Sequence, residues 1–252
     1  MIIGSEIICH SEVPSTNDLA AHLIKNNKPA EGTIIRADFQ SAGRGRSGNS
    51  WESENGKNLL LSIILFPDFL RPENQFLLSM AISLGIRDFL RNHIATCTIK
   101  WPNDIYADDA KIAGILIENS LTGTNIESSV AGIGLNINQT SFSGSAVNPV
   151  SLKQLTGIDY DLSECLGRLS ACLDKRYKQL VRGMTYEIRE DYLSSLYRFR
   201  EWHSFRSIHG IFTGRIISVT DAGLLQVEDR ISGVREFNFR EIGFTDKDDS
   251  SL

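Results

Sequence analysis

The side chains that could do chemistry lie in four stretches. Residues 38–51 hold Gly43, Gly45 and Gly48, with Arg44 and Arg46 between them and Trp51 at the end. Glycines weaken helix and strand alike, and they let backbone N–H groups approach an anion closely. Arginines offer planar forks matched to phosphate or carboxylate oxygens. The stretch therefore reads as an anion-gripping loop, although a solvated turn with two arginines would look the same by itself. Lys100, Trp101, Asn103 and Asp104 place a cation, an indole, an amide and a carboxylate at a strand end, and Lys111 follows. Separately, Asp104 is an ordinary turn residue after Pro102-Asn103, and Lys111 an ordinary strand-end charge. Ser15, Thr16 and Asn17 could equally cap a helix or hydrogen-bond a polar ring. Taken together, these residues suit phosphoryl chemistry. A carboxylate can hold Mg²⁺ beside a triphosphate, and lysine and arginine can stabilise charge developing at phosphorus.

These groups need elements to position them. Glu6–His10 reads as a strand, followed by a helix that Ser15 or Thr16 caps and Leu19, Ala20, Leu23 and Ile24 stripe. A strand at Thr33–Ala37 delivers the chain to the glycine-arginine loop, and Asn58–Phe66 is apolar enough for a strand buried on both faces. A helix opens at Pro72 and runs to about Arg91. A strand at Thr96–Lys100 precedes a hairpin-like pair, Ile105-Tyr106 and Lys111–Glu118. Ser129–Asn138 is the next strand, with Gly132 and Gly134 marking close approach of a neighbour or ligand. No helix follows it, which excludes a dinucleotide-binding fingerprint. A loop at 139–149 leads to helices at 151–156, from Asp161 or Ser163 to Leu180, and over Tyr186–Phe199. From Ser204 short alternating strands at Ile211–Val219, Leu224–Glu228 and Val234–Phe239 predict a small β-rich unit. The expected division is a main domain over 1–203, the β unit over 204–246 and a frayed acidic tail over 247–252.

Composition narrows the class of protein. The chain has 252 residues, 41% hydrophobic and 23% charged, which suits a globular protein with a real core. A net charge of −5 argues against a general nucleic-acid binder. Cys9, Cys97, Cys165 and Cys172 form no CxxC pair, so neither a disulfide framework nor a zinc site is expected. With no signal-peptide pattern and no long apolar run, the expected location is the cytoplasm, without a membrane partner.

In order and spacing the motifs resemble those of the biotin–protein ligases. They run Ser15-Thr16-Asn17; Gln40-x-x-Gly43-Arg44-Gly45-Arg46-x-Gly48-x-x-Trp51; Lys100-Trp101-Pro102-Asn103-Asp104; Lys111-x-x-Gly114-Ile115-Leu116; and Gly132-x-Gly134-x-Asn136. The resemblance spans most of residues 1–140. It implies an α+β fold, with a mixed or antiparallel sheet flanked by helices as in class II synthetases and a small SH3-like C-terminal β-barrel. It also implies an ATP-dependent enzyme that adenylates biotin to biotinyl-5′-AMP and passes biotin to a lysine of a biotin carboxyl carrier protein, with ATP and biotin as substrates and Mg²⁺ as metal. On that reading Ser15, Thr16, Asn17, Gln40 and Gly114 lie with biotin, and Arg44, Gly45, Arg46 and Lys111 with its carboxylate and the phosphates. Arg44, Arg46, Trp51, Lys100, Asn103 and Asn136 attend the nucleotide. Lys111, Arg46 and Asp104 are the catalytic candidates, and Asp104 is also the metal candidate through the substrate phosphates. The family loop usually continues Arg-Arg-Gly-Arg, whereas Ser47 and Asn49 stand here in place of its second and third arginines. The expected consequence is a leakier adenylate.

The sequence begins just before its first strand, so no DNA-binding segment and no DNA partner are expected. Oligomeric state, monomer or homodimer, stays open. A lipoate– or octanoate–protein ligase of the same fold is the alternative enzyme; that class favours a histidine near the loop, which residues 43–51 lack. A nucleic-acid-binding module is the non-enzyme alternative, disfavoured by net acidity.

Overall fold

The computed structural model describes residues 1–142 and 148–245. The expected frayed tail over 247–252 lies outside the described residues, as does part of the 139–149 loop. Strands β1 (Ile7–Val13), β2 (Ile34–Gln40), β3 (Leu59–Leu65), β4 (Thr98–Lys100), β5 (Asp104–Ala107), β6 (Ala110–Thr122) and β7 (Asn125–Leu135) form one sheet. Its order is β1-β2-β3-β7-β6-β5-β4. Only β1 and β2 run parallel; the other neighbours are antiparallel. The expected mixed sheet flanked by helices is what the chain forms.

Strand β3 is buried along its whole length because both of its faces are covered. Leu59, Leu61, Ile63 and Leu65 belong to the main core, which they share with α2 (Phe76–Leu90) and α4 (Leu162–Val181). Ile64 faces the other way and meets Ala20 of α1 (Thr16–Asn27). Burying each such aliphatic side chain contributes about 1.5–3 kcal/mol. Ser62 shares the α1 face with Ile64, and it is the one polar residue of β3. Caps close the helices: Ser15 accepts from Asp18 N, Asp161 from Glu164 N, and Ser151 forms a capping box with Gln154 on α3 (Leu152–Thr156).

The helix expected over Tyr186–Phe199 is shorter in the structure. Helix α5 spans Thr185–Ser194, and beyond it the backbone pairs with β4 instead, through Ile99 N to Ser195 O and Tyr197 N to Ile99 O. Strands β8 (Trp202–Ser207), β9 (Gly210–Val219), β10 (Leu225–Asp229), β11 (Gly233–Phe237) and β12 (Ile242–Phe244) form a second, antiparallel sheet in the order β11-β10-β9-β8-β12. Its first strand opens two residues before the expected boundary at 204. The small sheet is fixed to the main domain by named contacts. Trp101 Nε1 donates to Gly223 O at 3.0 Å, Arg189 donates two hydrogen bonds to the Asp221 carboxylate at 2.7 Å each, and Trp101 stacks on Phe239 with centroids 5.2 Å apart. No helix among the described residues is long and apolar enough to cross a membrane.

Candidate active site

The site is a clearing on the α1 face of the main sheet. Cross-strand register sets Leu60, Gly134, Gly114 and Asp104 in one row, and Ser62, Gly132 and Leu116 in the next. Three glycines on two strands thus leave a patch of sheet with no side chains. A methyl group on Gly134 would fall 2.3 Å from the Trp51 indole, one on Gly114 2.9 Å from it, and one on Gly132 2.2 Å from Asn17 Oδ1. Trp51 therefore lies on the bare floor, and the cavity left beside it is about 50 Å³. Small-molecule pockets run to about 300–1,000 Å³, and a ligand seated against Gly114 and Gly134 would have to displace the indole that covers them.

At one end stand the polar groups of the α1 N-terminus. Gln40 Oε1 accepts from Thr16 N at 2.7 Å and from Thr16 Oγ1 at 3.0 Å. The Ser62 hydroxyl lies 2.7 Å from Thr16 Oγ1 and 2.6 Å from Asn17 Oδ1, and its single hydrogen serves one of them at a time. Asn17 Nδ2 donates to Glu118 Oε2 at 2.6 Å and to Leu116 O at 3.3 Å. Ser15, Thr16 and Asn17 are all buried.

At the other end stand the cations. Lys111 Nζ is 2.8 Å from Asp104 Oδ1 and 5.7 Å from the Trp51 ring centroid. Strict alternation would put residue 111 on the opposite face from Gly114. The pairing of β5 with β6 shifts at this point, however: Ile105 faces Ala113 and Tyr106 faces Lys111, so Ile112 is an extra residue. This bulge turns the lysine onto the α1 face beside Gly114. Arg46 lines the same cavity, and its guanidinium lies 3.7 Å from the centroid of Phe239 in the turn between β11 and β12. Burial pushes this guanidinium below its ordinary value; Asp104 opposes the fall and Arg240 adds to it.

The glycine-arginine loop closes on itself. Residues 44 and 50 form a bridge, Trp51 N donates to Gly43 O at 2.9 Å, and a single 3₁₀ turn spans Arg46–Gly48. Arg44 donates to both oxygens of Glu118 at 3.1 Å and to Asp18 Oδ1 at 2.6 Å.

Most of the candidates converge here. Ser15, Thr16, Asn17, Gln40, Arg44, Gly45, Arg46, Trp51, Asn103, Lys111 and Gly114 all line the cavity, and Asp104 reaches it through Lys111. Lys100 does not line it. Its ammonium lies 4.9 Å from the ring centroids of both Tyr106 and Phe244, where it joins the two sheets. Asn136 lies behind the floor; its Nδ2 donates to Val150 O at 3.1 Å, and its Oδ1 is buried without a hydrogen-bond partner. Three participants were missed in the sequence: Ser62, Glu118 and Phe239. A hydroxyl inside an otherwise apolar strand was the available signal for Ser62, and the period-two spacing 114, 116, 118 was the signal for Glu118.

Along the α1 face, buried polar groups, a bare glycine floor and two cations thus follow one another. Residues 10–138 match the biotin/lipoate A/B protein ligase family. The bifunctional ligase/repressor of Bacillus subtilis is 32% identical over 90% of this chain and 70% of its own length. The biotin–[acetyl-CoA-carboxylase] ligase of Paracoccus denitrificans is 31% identical over 84% of this chain and 89% of its own. Among solved structures, the biotin protein ligase of Aquifex aeolicus in complex with biotin and ATP superposes with a TM-score of 0.79 at 26% identity, covering 95% of this chain and 98% of that one. The chain belongs to the biotin/lipoate A/B protein ligase family.

Proposed function

We propose that this protein activates biotin as biotinyl-5′-AMP and transfers it to the lysine of a biotin carboxyl carrier domain. The observation that carries the proposal is the sequence of groups along the α1 face: polar partners, a glycine floor, then cations. A bicyclic urea with an acid-bearing tail has its hydrogen-bonding ring at one end and its charge at the other. Ser15, Thr16, Asn17 and Gln40 would meet the ring, the floor would take the apolar body once Trp51 swings away, and Lys111 and Arg46 would meet the acid.

In the first step a carboxylate oxygen forms a bond to the α-phosphorus of ATP. The bond from that phosphorus to the bridging oxygen breaks, and the electron pair leaves with pyrophosphate. Lys111 and Arg46 stabilise the negative charge building on the phosphoryl oxygens. In the second step the carrier lysine arrives as an ammonium, releases one proton to solvent and bonds through its amine to the acyl carbon. The acyl–oxygen bond breaks with its electron pair leaving on AMP, and the nitrogen gives a second proton to solvent to become the amide. Asp104 attracts the incoming ammonium. Asn103 would line the adenine side, joined by Trp51 once the indole has left the floor, while Asn136, bonded to Ile112 O and Val150 O, would steady the segment that carries Lys111. The loop has two fewer cations than the family pattern and should hold the adenylate less tightly.

Among the described residues no group of three or more His, Cys, Asp or Glu side chains could cage a metal. Mg²⁺ fits this site only as a companion of the nucleotide phosphates, with Asp104 as its protein oxygen; bound there, it would neutralise phosphate charge. The test is mass spectrometry of a biotin carrier domain after incubation with the protein, Mg·ATP and biotin, with lipoate in a parallel arm. Gain of one biotinyl group is expected. Modification by lipoate alone would make this a lipoate ligase, and no modification in either arm would remove the reading.

A further inference from the structure

Glu118 is bonded to both the ring end and the loop, although it does not line the cavity. Its Oε2 accepts from Asn17 Nδ2 at 2.6 Å, and its two oxygens accept from the two terminal nitrogens of Arg44 at 3.1 Å each. An Asn amide can sit either way round, and a carboxylate accepts only, so Glu118 forces the Asn17 nitrogen toward itself. Asn17 Oδ1 is thereby left facing the Ser62 hydroxyl at 2.6 Å. Gly132 keeps this arrangement possible, since a methyl group there would fall 2.2 Å from Asn17 Oδ1. The same carboxylate grips the first arginine of the loop. Three of the guanidinium hydrogen bonds go to Glu118 and Asp18, so its charge is spent on protein carboxylates.

We propose that Glu118 is a positioning residue that fixes the hydrogen-bonding polarity of Asn17 toward the biotin ring and, through Arg44, straps the glycine-arginine loop to β6. Arg44 then acts as a tether, and Arg46 and Lys111 carry the anion. This rests on the biotin reading above.

The test compares the unaltered protein with Glu118→Gln and Asp18→Asn, reading biotin Kd by calorimetry without ATP, then KM for biotin, KM for ATP and kcat for adenylation. Glu118→Gln should raise biotin Kd and KM about tenfold, while KM for ATP and kcat stay within about threefold. Asp18→Asn removes a partner of Arg44 without touching the amide of Asn17, and should leave biotin Kd within about threefold. A purely structural role would shift both substrates together. Equal changes in the two KM values, or a biotin Kd within about twofold of the unaltered protein, would overturn the proposal. If Glu118→Gln does not fold, Glu118→Asp keeps the charge but withdraws the carboxylate by one methylene, and should raise biotin Kd about fivefold with KM for ATP unchanged. If it too leaves biotin Kd unchanged, the proposal falls. Failure of the unaltered protein to bind biotin would instead strike the biotin reading, and this proposal with it.

Discussion

Lys111→Met removes the ammonium from the site and keeps most of the side-chain volume. The backbone of residue 111 stays held by Asn148 O and Val150 N at 2.9 Å each, so the strand should keep its course. Losing a preorganised charge at a reacting centre costs about 2.7–4 kcal/mol, or about 10²–10³ in rate. The ion pair with Asp104 has side chains 26% and 22% exposed, and losing its cation leaves the buried Asp104 Oδ1 unpaired, at a cost of about 1–3 kcal/mol of stability. Biotin-dependent exchange of pyrophosphate into ATP should therefore fall by two to three orders of magnitude, with a fall in melting temperature of a few degrees that leaves the protein folded at the assay temperature. Lys111→Met/Asp104→Asn separates two explanations of that loss. If the lysine acts on the phosphoryl oxygens, removing the carboxylate as well will not restore the rate. A double variant within about tenfold of the unaltered enzyme would mean that Lys111 merely neutralises Asp104, and would refute the role given to it.

Trp51→Ala clears the glycine floor. Because the ligand-competent state no longer has to expel an indole, biotin association measured by stopped flow should accelerate; slower association would contradict the seat assigned to Trp51. Gly132→Ala should displace Asn17 and weaken biotin binding about tenfold or more with circular dichroism unchanged, since charged hydrogen bonds of about 1.5–3 kcal/mol are at stake. Phe239→Leu removes the aromatic face beneath Arg46, a contact of about 0.5–2 kcal/mol. It should raise KM for ATP while biotin Kd holds, and an unchanged KM would deny the small sheet a part in the site. Burial pushes the Cys97 thiol up to about 12 and the Cys165 thiol up to about 11, whereas Cys9 is exposed. Iodoacetamide at pH 8 should therefore label Cys9 in the folded protein and spare the other two, as read by peptide mass spectrometry.

What was legible in the sequence was chemistry carried by residue type and spacing. The glycines of the floor, the loop arginines and the polar triplet at the helix start, all picked out by those motifs, line one cavity. The bulge at Ile112 was not legible. A strict period of two would have sent Lys111 to the wrong face, and only the register between β5 and β6 turns it back. Lys100 shows the opposite limit. As a strand-end cation next to an indole it suited a nucleotide, but it sits between Tyr106 of the neighbouring strand β5 and Phe244 of the small sheet instead. The helix expected to reach Phe199 ends early for a related reason. Its amphipathic pattern continues, yet residues 195–197 form backbone bonds to β4, a competition that no local pattern encodes.

The position of Phe239 bears on why the small sheet is there at all. A unit of this size buries too little apolar surface to be stable alone, and it leans on the main domain through Trp101, Arg189 and Phe76. A methyl group on Gly223, whose φ is +94°, would come within 2.7 Å of the Phe76 ring, so the fit there is close. The same contact region holds Arg46, whose guanidinium lies over Phe239, while Phe239 itself stacks on Trp101. Trp101 begins the turn that carries Asn103 and Asp104 into the site. The two sheets therefore meet at the residues that position Arg46 and the turn leading to Asp104. On the function proposed above, loosening that contact would act first on Arg46 and Asp104, and through them on the nucleotide half of the reaction, before it reached the polar end where Asn17 and Gln40 are held within the main domain.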